Sequence, residues 1–350
     1  MAVIVMADDG IAFDGDSLMR GPLGGAETAF ISLAEAFARR GHDVTIFNRC
    51  GAPMARHGVA WQPIEQGLPE RADLYIANRG DRLIPMVPEA VCRAFWIHNP
   101  AGYLKKWRYL SKLWRWRPAI VFSSGFHARS FPVWAPSGER ATIPYGISQE
   151  FLDAEPPHDP PAPRAVFTSS PLRSLDWLLA LWTAEIHPRL PTAELHIFSS
   201  PKTYGDHGNA RATQMNAVLD QASALADKGV VLREPLPKAE LAVELAGFRT
   251  LLYRGDPGET YCLAVGEAQA VGVPAVVQDI GCVAERVIDG TTGYVASDDA
   301  DFAVRALSLL QDDKLWRAQH DAALAEQRGW SWDDAAAAFE SVVFDKAGPA

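Results

Sequence analysis

Residues 251–277 read LLYRGDPGETYCLAVGEAQAVGVPAVV, and this stretch decides the fold. An apolar run ends at Tyr253, and a loop with Gly255, Pro257 and Gly258 follows. Glu259, Thr260 and Tyr261 come next, then the nearly all-apolar residues 262–271, closed by Gly272, and a second apolar run at 273–277. The order is strand, Gly/Pro loop, buried helix, glycine cap, strand, which is one α/β unit. Two carboxylates stand in it: Glu259 in the loop and Glu267 about a turn and a half into the helix. The helical neighbours of Glu267 are Leu263, Ala264, Ala270 and Val271, so its side chain leaves on an apolar face. An unpaired carboxylate there costs on the order of several kcal/mol. Either a structural salt bridge neutralises it, or a ligand brings hydroxyls to it, as a ribose would. The free N–H groups at the helix start, around Thr260, Tyr261, Cys262 and Leu263, carry partial positive charge and suit a phosphate. A ribose acceptor and a phosphate cradle one helical turn apart point to a nucleotide.

Glu259-x7-Glu267, with TYCLAVGEAQAVGVPAV around it, resembles the signature of the family 4 retaining glycosyltransferases, which have the GT-B fold. The spacing alone carries nothing. The preceding Gly loop, the E-A-x-A-x-G-x-P tail and the later DGTTGYV turn make the match specific. The resemblance runs over roughly residues 1–340 and is strongest at 259–276.

Length and composition agree. A chain of 350 residues suggests two domains, each able to bury a core. With 48% hydrophobic and 22% charged residues it reads as an ordinary globular protein, and a net charge of −10 argues against general nucleic-acid binding. Cys50, Cys92, Cys262 and Cys282 show no CxxC and no metal spacing, so a reduced, cytoplasmic compartment is expected. The first residues lack the pattern of a signal peptide, and no apolar run reaches the length of a membrane span.

Taken in order, residues 2–6 read as a first strand. Gly24-Gly25-Ala26-Glu27-Thr28 then opens an amphipathic helix to Arg40, capped by Gly41, with a strand at 44–47. The glycines permit close approach of a ligand, and the helix start favours an anion. In the resembling family this loop faces the donor phosphates and the acceptor, which places Gly24 and Gly25 on the donor side and Glu27 on the acceptor side. Asp14-Gly15-Asp16 allows another reading, the Asp-x-Asp metal motif of GT-A glycosyltransferases, though it follows the first strand rather than several. Residues 74–77, 94–97 and 119–123 read as further strands of a parallel sheet. The second of these ends at His98-Asn99-Pro100, where ligands bind in open α/β sheets. WIHNP resembles the family's histidine loop, which implies that His98 contacts the donor sugar; the plain alternative is a structural histidine.

Residues 103–117, YLKKWRYLSKLWRWR, are strongly basic with no acid among them. Tyr103, Trp107, Leu110 and Trp114 fall on one helical stripe. One reading is a core-facing stripe with a solvated basic back. The other is a patch, including Lys105, Lys106 and Trp107, that meets a charged acceptor or an anionic membrane. TIPYGI at 142–147 resembles the end of the family's first domain. The proline run in AEPPHDPPAPR stiffens a linker.

The second domain is expected to open with a strand at 165–168 and a loop leading to a helix near Leu175. Arg173 in that loop can grip a diphosphate. The resembling family places an Arg and a Lys here. Arg173 stands at the Lys position, while the Arg position falls near Ser169 or Ser170. Residues 194–198 and 230–232 read as strands. The loop after the latter, with Arg233 and Pro235, resembles the family's base-contacting loop. Trp330-Ser331-Trp332 begins a helix resembling the one that crosses back onto the first domain.

The expected fold is therefore α/β: GT-B, two Rossmann-like domains with parallel sheets facing an inter-domain cleft. The expected domains are 1–150 (acceptor side), a linker at 151–164, 165–328 (nucleotide-sugar binding) and a crossing helix at 329–350. The expected activity is retaining transfer of a sugar from a nucleotide-sugar donor to a glycan or lipid-linked acceptor, in cell-surface polysaccharide or glycolipid synthesis, without metal or cofactor. Glu259, His98 and Arg173 are the catalytic candidates. Ser170, Arg173, Arg233, Pro235, Glu267 and the amides at 260–263 join Gly24 and Gly25 in holding the donor. The expected location is cytoplasmic, with peripheral contact on the inner face of the membrane through residues 103–117. A nucleotide-sugar epimerase on the same scaffold, an inactive glycosyltransferase-like binding subunit and a GT-A-like metal enzyme are the alternatives.

Overall fold

The structure, a computed structural model, describes residues 1–21 and 23–343. It divides into two compact units. Unit 1 comprises Met1–Leu18, Gly25–Gly146 and the chain from Trp330 onward; unit 2 comprises Met19–Gly24 and Ile147–Gly329. The proline run lies inside unit 2, because the short helix Gln149–Leu152 has already buried Phe151 there. The division falls at Gly146, ahead of the stretch that reads as a linker in the sequence. Of the expected closing helix, residues 344–350 lie outside the described residues.

Unit 1 is built on strands β1 (Val3–Asp8), β2 (Asp43–Asn48), β3 (Met54–Arg56), β4 (Val59–Pro63), β5 (Arg71–Asn78), β6 (Glu89–Trp96), β7 (Ala119–Phe122) and β8 (Arg140–Thr142). Their order across the sheet is β3-β4-β2-β1-β5-β6-β7-β8. Every pairing is parallel except the β3–β4 hairpin. That hairpin turns on His57 and Gly58, both at positive φ, the two-residue turn that matches strand twist. The central strand β1, VIVMAD, is buried over five successive residues, as a parallel strand covered on both faces must be.

Unit 2 carries β9 (Arg164–Phe167), β10 (Glu194–Phe198), β11 (Val230–Arg233), β12 (Thr250–Leu252), β13 (Ala275–Gln278) and β14 (Gly293–Ala296). The order is β11-β10-β9-β12-β13-β14, all parallel. Each sheet thus reverses its strand order once, between β1 and β5 and between β9 and β12. Loops leaving the C-terminal ends of these strands diverge there and open a crevice where α/β sheets take ligands.

Six helices carry or flank the functional side chains: α1 (Gly25–Arg39), α2 (Trp107–Trp116), α3 (Leu175–Leu181), α4 (Lys238–Leu245), α5 (Leu263–Ala270) and α6 (Trp332–Val343). Within unit 1, α6 packs on α1, with Phe37 edge-on to Phe339 at 6.1 Å and the pairs Arg39–Asp333 and Arg40–Glu340 along the rim.

Residues 103–117 depart from the sequence expectation: they are not a single helix carrying one core-facing stripe. A short 3-10 turn, Ala101–Lys105, is broken by extended Lys106 before α2 begins. The break rotates the faces, so Tyr109 and Leu113 are buried, while Trp107 and Trp114 are 79% and 72% exposed.

Candidate active site

The unit 2 crevice is made by the loops after β9 and β12. In the β12 loop, Asp256 folds back on the chain: its carboxylate accepts the Gly258 N–H at 2.7 Å and its carbonyl accepts the Glu259 N–H at 2.9 Å. Gly255 has φ +110, and a Cβ there would lie 2.6 Å from the Ile280 carbonyl, so the turn requires glycine. The result sets Glu259 inward, 7% exposed. Its Oε2 accepts from the Tyr253 hydroxyl at 3.1 Å and pairs with Arg173 of the β9 loop. Its Oε1 accepts the Cys262 N–H at 3.2 Å. Ser174, in the left-handed conformation, ties the two loops together by donating to the Gly255 carbonyl at 3.3 Å. Arg173 and Glu259, distant in sequence, therefore meet at the switch point.

Cys262 also adopts a left-handed conformation, φ +63, as it enters α5. A non-glycine residue there stores strain, and such strain clusters at functional sites. The Cys262 side chain makes no capping hydrogen bond to the first turn of α5. Burial, and then the charge of Glu259, push the Cys262 thiol far above its ordinary range, so it is a neutral wall and not a nucleophile. Tyr261 is buried beneath the Arg286 guanidinium, 4.3 Å from its ring centre, and Thr260 is buried beside it.

Glu267 is 4% exposed on α5, as its apolar neighbours require. Lys238, at the first position of α4 and over the Phe151 ring, pairs with its Oε1 at 2.5 Å. Among the described residues the other oxygen, Oε2, accepts no hydrogen bond. Sequence reading missed Lys238, although a lysine in the first turn of a helix opposes the helix dipole and so signals another partner.

The remaining donor-side candidates are less open. Ser170 is buried and its carbonyl accepts the Arg173 N–H at 2.9 Å, which shapes the loop. Arg233 lies over Phe198 and pairs with Glu244 at 3.0 Å, so its charge is already partnered; Pro235 is half-buried in the following loop. Leu263 begins α5 half-buried.

Unit 1 assembles a separate polar chain at its own switch point. His98 is buried, with the Nε2 hydrogen donated to Asn78 Oδ1 at 2.6 Å and Nδ1 accepting from the Tyr145 hydroxyl. That tautomer follows from Asn78, whose amide donates to Asp8 Oδ2 at 2.5 Å. Arg79, at φ +61, bridges Asp8 at 2.8 Å and Glu27 at 2.9 Å. Gly25 opens α1 just before Glu27, while Gly24 precedes it and groups with unit 2. Glu27, read as an acceptor contact, is thus held in an internal ion pair. Asp8, Asn78, Arg79 and Tyr145 escaped the sequence reading because hydrogen bonds between strand ends leave no local pattern. Lys105, Lys106 and Trp107 are exposed and take no part in this polar chain. Asp14 and Asp16 serve a turn and an ion pair with Arg56 at 3.0 Å.

Burial, reinforced by the Arg79 and His127 charges, drives the His98 pKa well below its ordinary value. Burial likewise lowers His127, whose Nε2 faces the Asn99 carbonyl at 2.9 Å, to about 4. Both rings are neutral in the folded protein at pH 7. The unfolded chain takes up their protons first as pH falls, so their contribution is complete above about 6.5 and is lost as pH falls toward the folded values. For His127 the full loss is roughly 3 kcal/mol. Urea midpoints measured from pH 7.5 to 5 should fall, and His127→Gln should flatten the slope. Equal slopes for both proteins would contradict the buried neutral ring.

Comparison with known proteins agrees with this geometry. Residues 163–312 match the family model described as "Glycosyl transferases group 1". A D-inositol 3-phosphate glycosyltransferase of Nocardia farcinica is 24% identical over 89% of this chain and 82% of that protein. One from Corynebacterium aurimucosum is 29% identical over 47% of this chain, a match that spans only 38% of the relative's length. Among solved structures, sucrose-phosphate synthase from Thermosynechococcus elongatus superposes with a TM-score of 0.70 at 16% identity, over 95% of this chain and 96% of that one. Anabaena HepE in complex with UDP and glucose gives 0.68 at 14% identity, over 96% and 98%. WaaG, a glycosyltransferase involved in lipopolysaccharide biosynthesis, gives 0.67 at 11% identity, over 98% and 100%. The chain has the GT-B glycosyltransferase fold, which sets aside the GT-A reading. Its second unit carries a group 1 glycosyltransferase domain.

Proposed function

We propose that the protein is a family 4-type retaining glycosyltransferase that moves a sugar from a nucleotide-sugar donor to a glycan or lipid-linked acceptor, without metal or cofactor. The observation that carries this is the meeting of Arg173 and Glu259 at the unit 2 switch point, with the α5 amides and Glu267 within the next turns. In this reading Glu267 Oε2 takes the ribose hydroxyls while Lys238 holds Oε1. The α5 amides and Arg173 bear the diphosphate. Glu259 passes from Arg173 to the donor sugar, where its charge favours the cation-like anomeric carbon. Preorganised positive groups stabilise the leaving diphosphate as its charge grows.

The bond from the anomeric carbon to the diphosphate oxygen breaks, and the acceptor hydroxyl oxygen bonds to that carbon from the same face. Its proton passes to the departing phosphate oxygen. His98, neutral and held by Asn78 and Tyr145, is assigned to the donor sugar, and Glu27, Lys105, Lys106 and Trp107 to the acceptor side. Residues 103–117 are also the proposed point of peripheral contact with an anionic membrane, on the cytoplasmic face, in glycolipid or polysaccharide synthesis.

Proton NMR of the first-formed product tests the reaction. The anomeric configuration of the donor should persist, and turnover should be unchanged by chelator. An inverted product or chelator-sensitive turnover would contradict the mechanism, and donor binding without turnover on any acceptor would favour the binding-subunit alternative.

A further inference from the structure

Trp107 and Trp114 of α2 are seven positions apart, two helical turns, and share its outer side. A second exposed apolar pair was not apparent in the sequence: Val133 is 91% and Trp134 67% exposed, on the turn that follows the helix Gly125–Arg129. The two elements are joined within unit 1. The Gly138 N–H bonds the Pro118 carbonyl at 2.9 Å, and a Cβ on Gly138 would lie 2.4 Å from the Arg117 carbonyl. Beneath them, Leu113 of α2 shares one buried cluster with Phe131 and Ala135, which flank the exposed pair.

Charge on this surface is one-sided. Asp81 pairs with Arg108 and Lys112. Among the described residues, Lys105, Lys106, Arg115 and Arg117 have no carboxylate within ion-pair distance. A chain with net charge −10 therefore displays an unneutralised basic surface studded with solvent-exposed tryptophans. Water favours neither arrangement, since large apolar side chains left in water mark interaction sites and like charges repel. Indole rings beside lysine and arginine suit the headgroup layer of an anionic bilayer, where the rings enter the interface and the cations meet phosphate.

We infer that α2 and the Val133–Trp134 turn form one two-element footprint that seats unit 1 on an anionic phospholipid bilayer, with the turn as its apolar anchor. Resting on the glycosyltransferase reading, this footprint makes the acceptor a lipid-linked one.

Flotation of the full chain with phosphatidylcholine vesicles, alone or with about one-third phosphatidylglycerol, tests it. Binding should be far stronger to the anionic vesicles. Lys105→Gln with Lys106→Gln should lower partitioning about fivefold per residue at low salt, and high salt should erase the difference. Val133→Ser with Trp134→Ser should lower it about tenfold at every salt concentration, because apolar burial is not screened. Equal binding of the unmodified chain to neutral and anionic vesicles would overturn the inference. So would unchanged binding of the Val133/Trp134 variant, or binding to a soluble sulfated glycan with none to vesicles. Thermal shift by nucleoside diphosphates on the same samples separates this outcome from failure of the glycosyltransferase reading, since it reports on unit 2.

Discussion

Replacing Arg173 with alanine should lower turnover by about one to two orders of magnitude while changing the melting temperature little. A charge-assisted hydrogen bond contributes roughly 1.5–3 kcal/mol, and its loss from the transition state reduces the rate by a factor of about 10 to 150. The fold loses less, because Arg173 is more than a third exposed and its ion pair with Glu259 is screened by solvent. Glu259 also keeps the Tyr253 hydroxyl and the Cys262 N–H. Arg173→Lys should recover part of the loss, since a lysine keeps the charge without the fork that grips two phosphate oxygens. Steady-state kinetics with saturating donor decide the matter: wild-type turnover in Arg173→Ala would remove Arg173 from the chemistry.

Glu267→Gln should weaken nucleotide binding by roughly 1.5–3 kcal/mol, about tenfold or more. The Lys238 pair complicates this, because it supplies the structural salt bridge that is the plain alternative to a ribose contact. Removing one partner of a buried pair leaves the other charge uncompensated and lowers stability. Lys238→Met separates the two roles. If Glu267 holds a ribose, Glu267→Gln costs more in nucleotide affinity than Lys238→Met. If the pair is only structural, the two variants melt lower by similar amounts and bind nucleotide as the unmodified protein does. Isothermal titration of both variants distinguishes these outcomes.

How much the sequence discloses depends on the range of the forces involved. The 251–277 unit was legible because apolar periodicity, the Gly/Pro loop and the glycine cap act within a few residues of one another. The burial of Glu267 could be read from its helical neighbours for the same reason. Lys238 could not be paired with it, since their approach depends on how α4 packs beside α5. Asp8, Asn78 and Arg79 meet only because parallel pairing puts the ends of β1 and β5 in register, Asp8 opposite Asn78. The strands β3, β4, β8 and β14 were not marked in the sequence. The stripe at 103–117 misled because extended backbone at Lys106 divides it, which composition does not reveal.

In the proposed function, unit 2 holds a nucleotide by Glu267, Arg173 and the start of α5. Thermal shift of the unmodified chain against UDP, GDP, ADP and their sugar conjugates tests it most directly. One base should raise the melting temperature in a concentration-dependent way, with about 2.7 kcal/mol of stabilisation at 100 times its dissociation constant. Glu267→Gln should need more of that nucleotide for the same shift. No shift with any nucleotide or nucleotide sugar at millimolar concentration would contradict the claim.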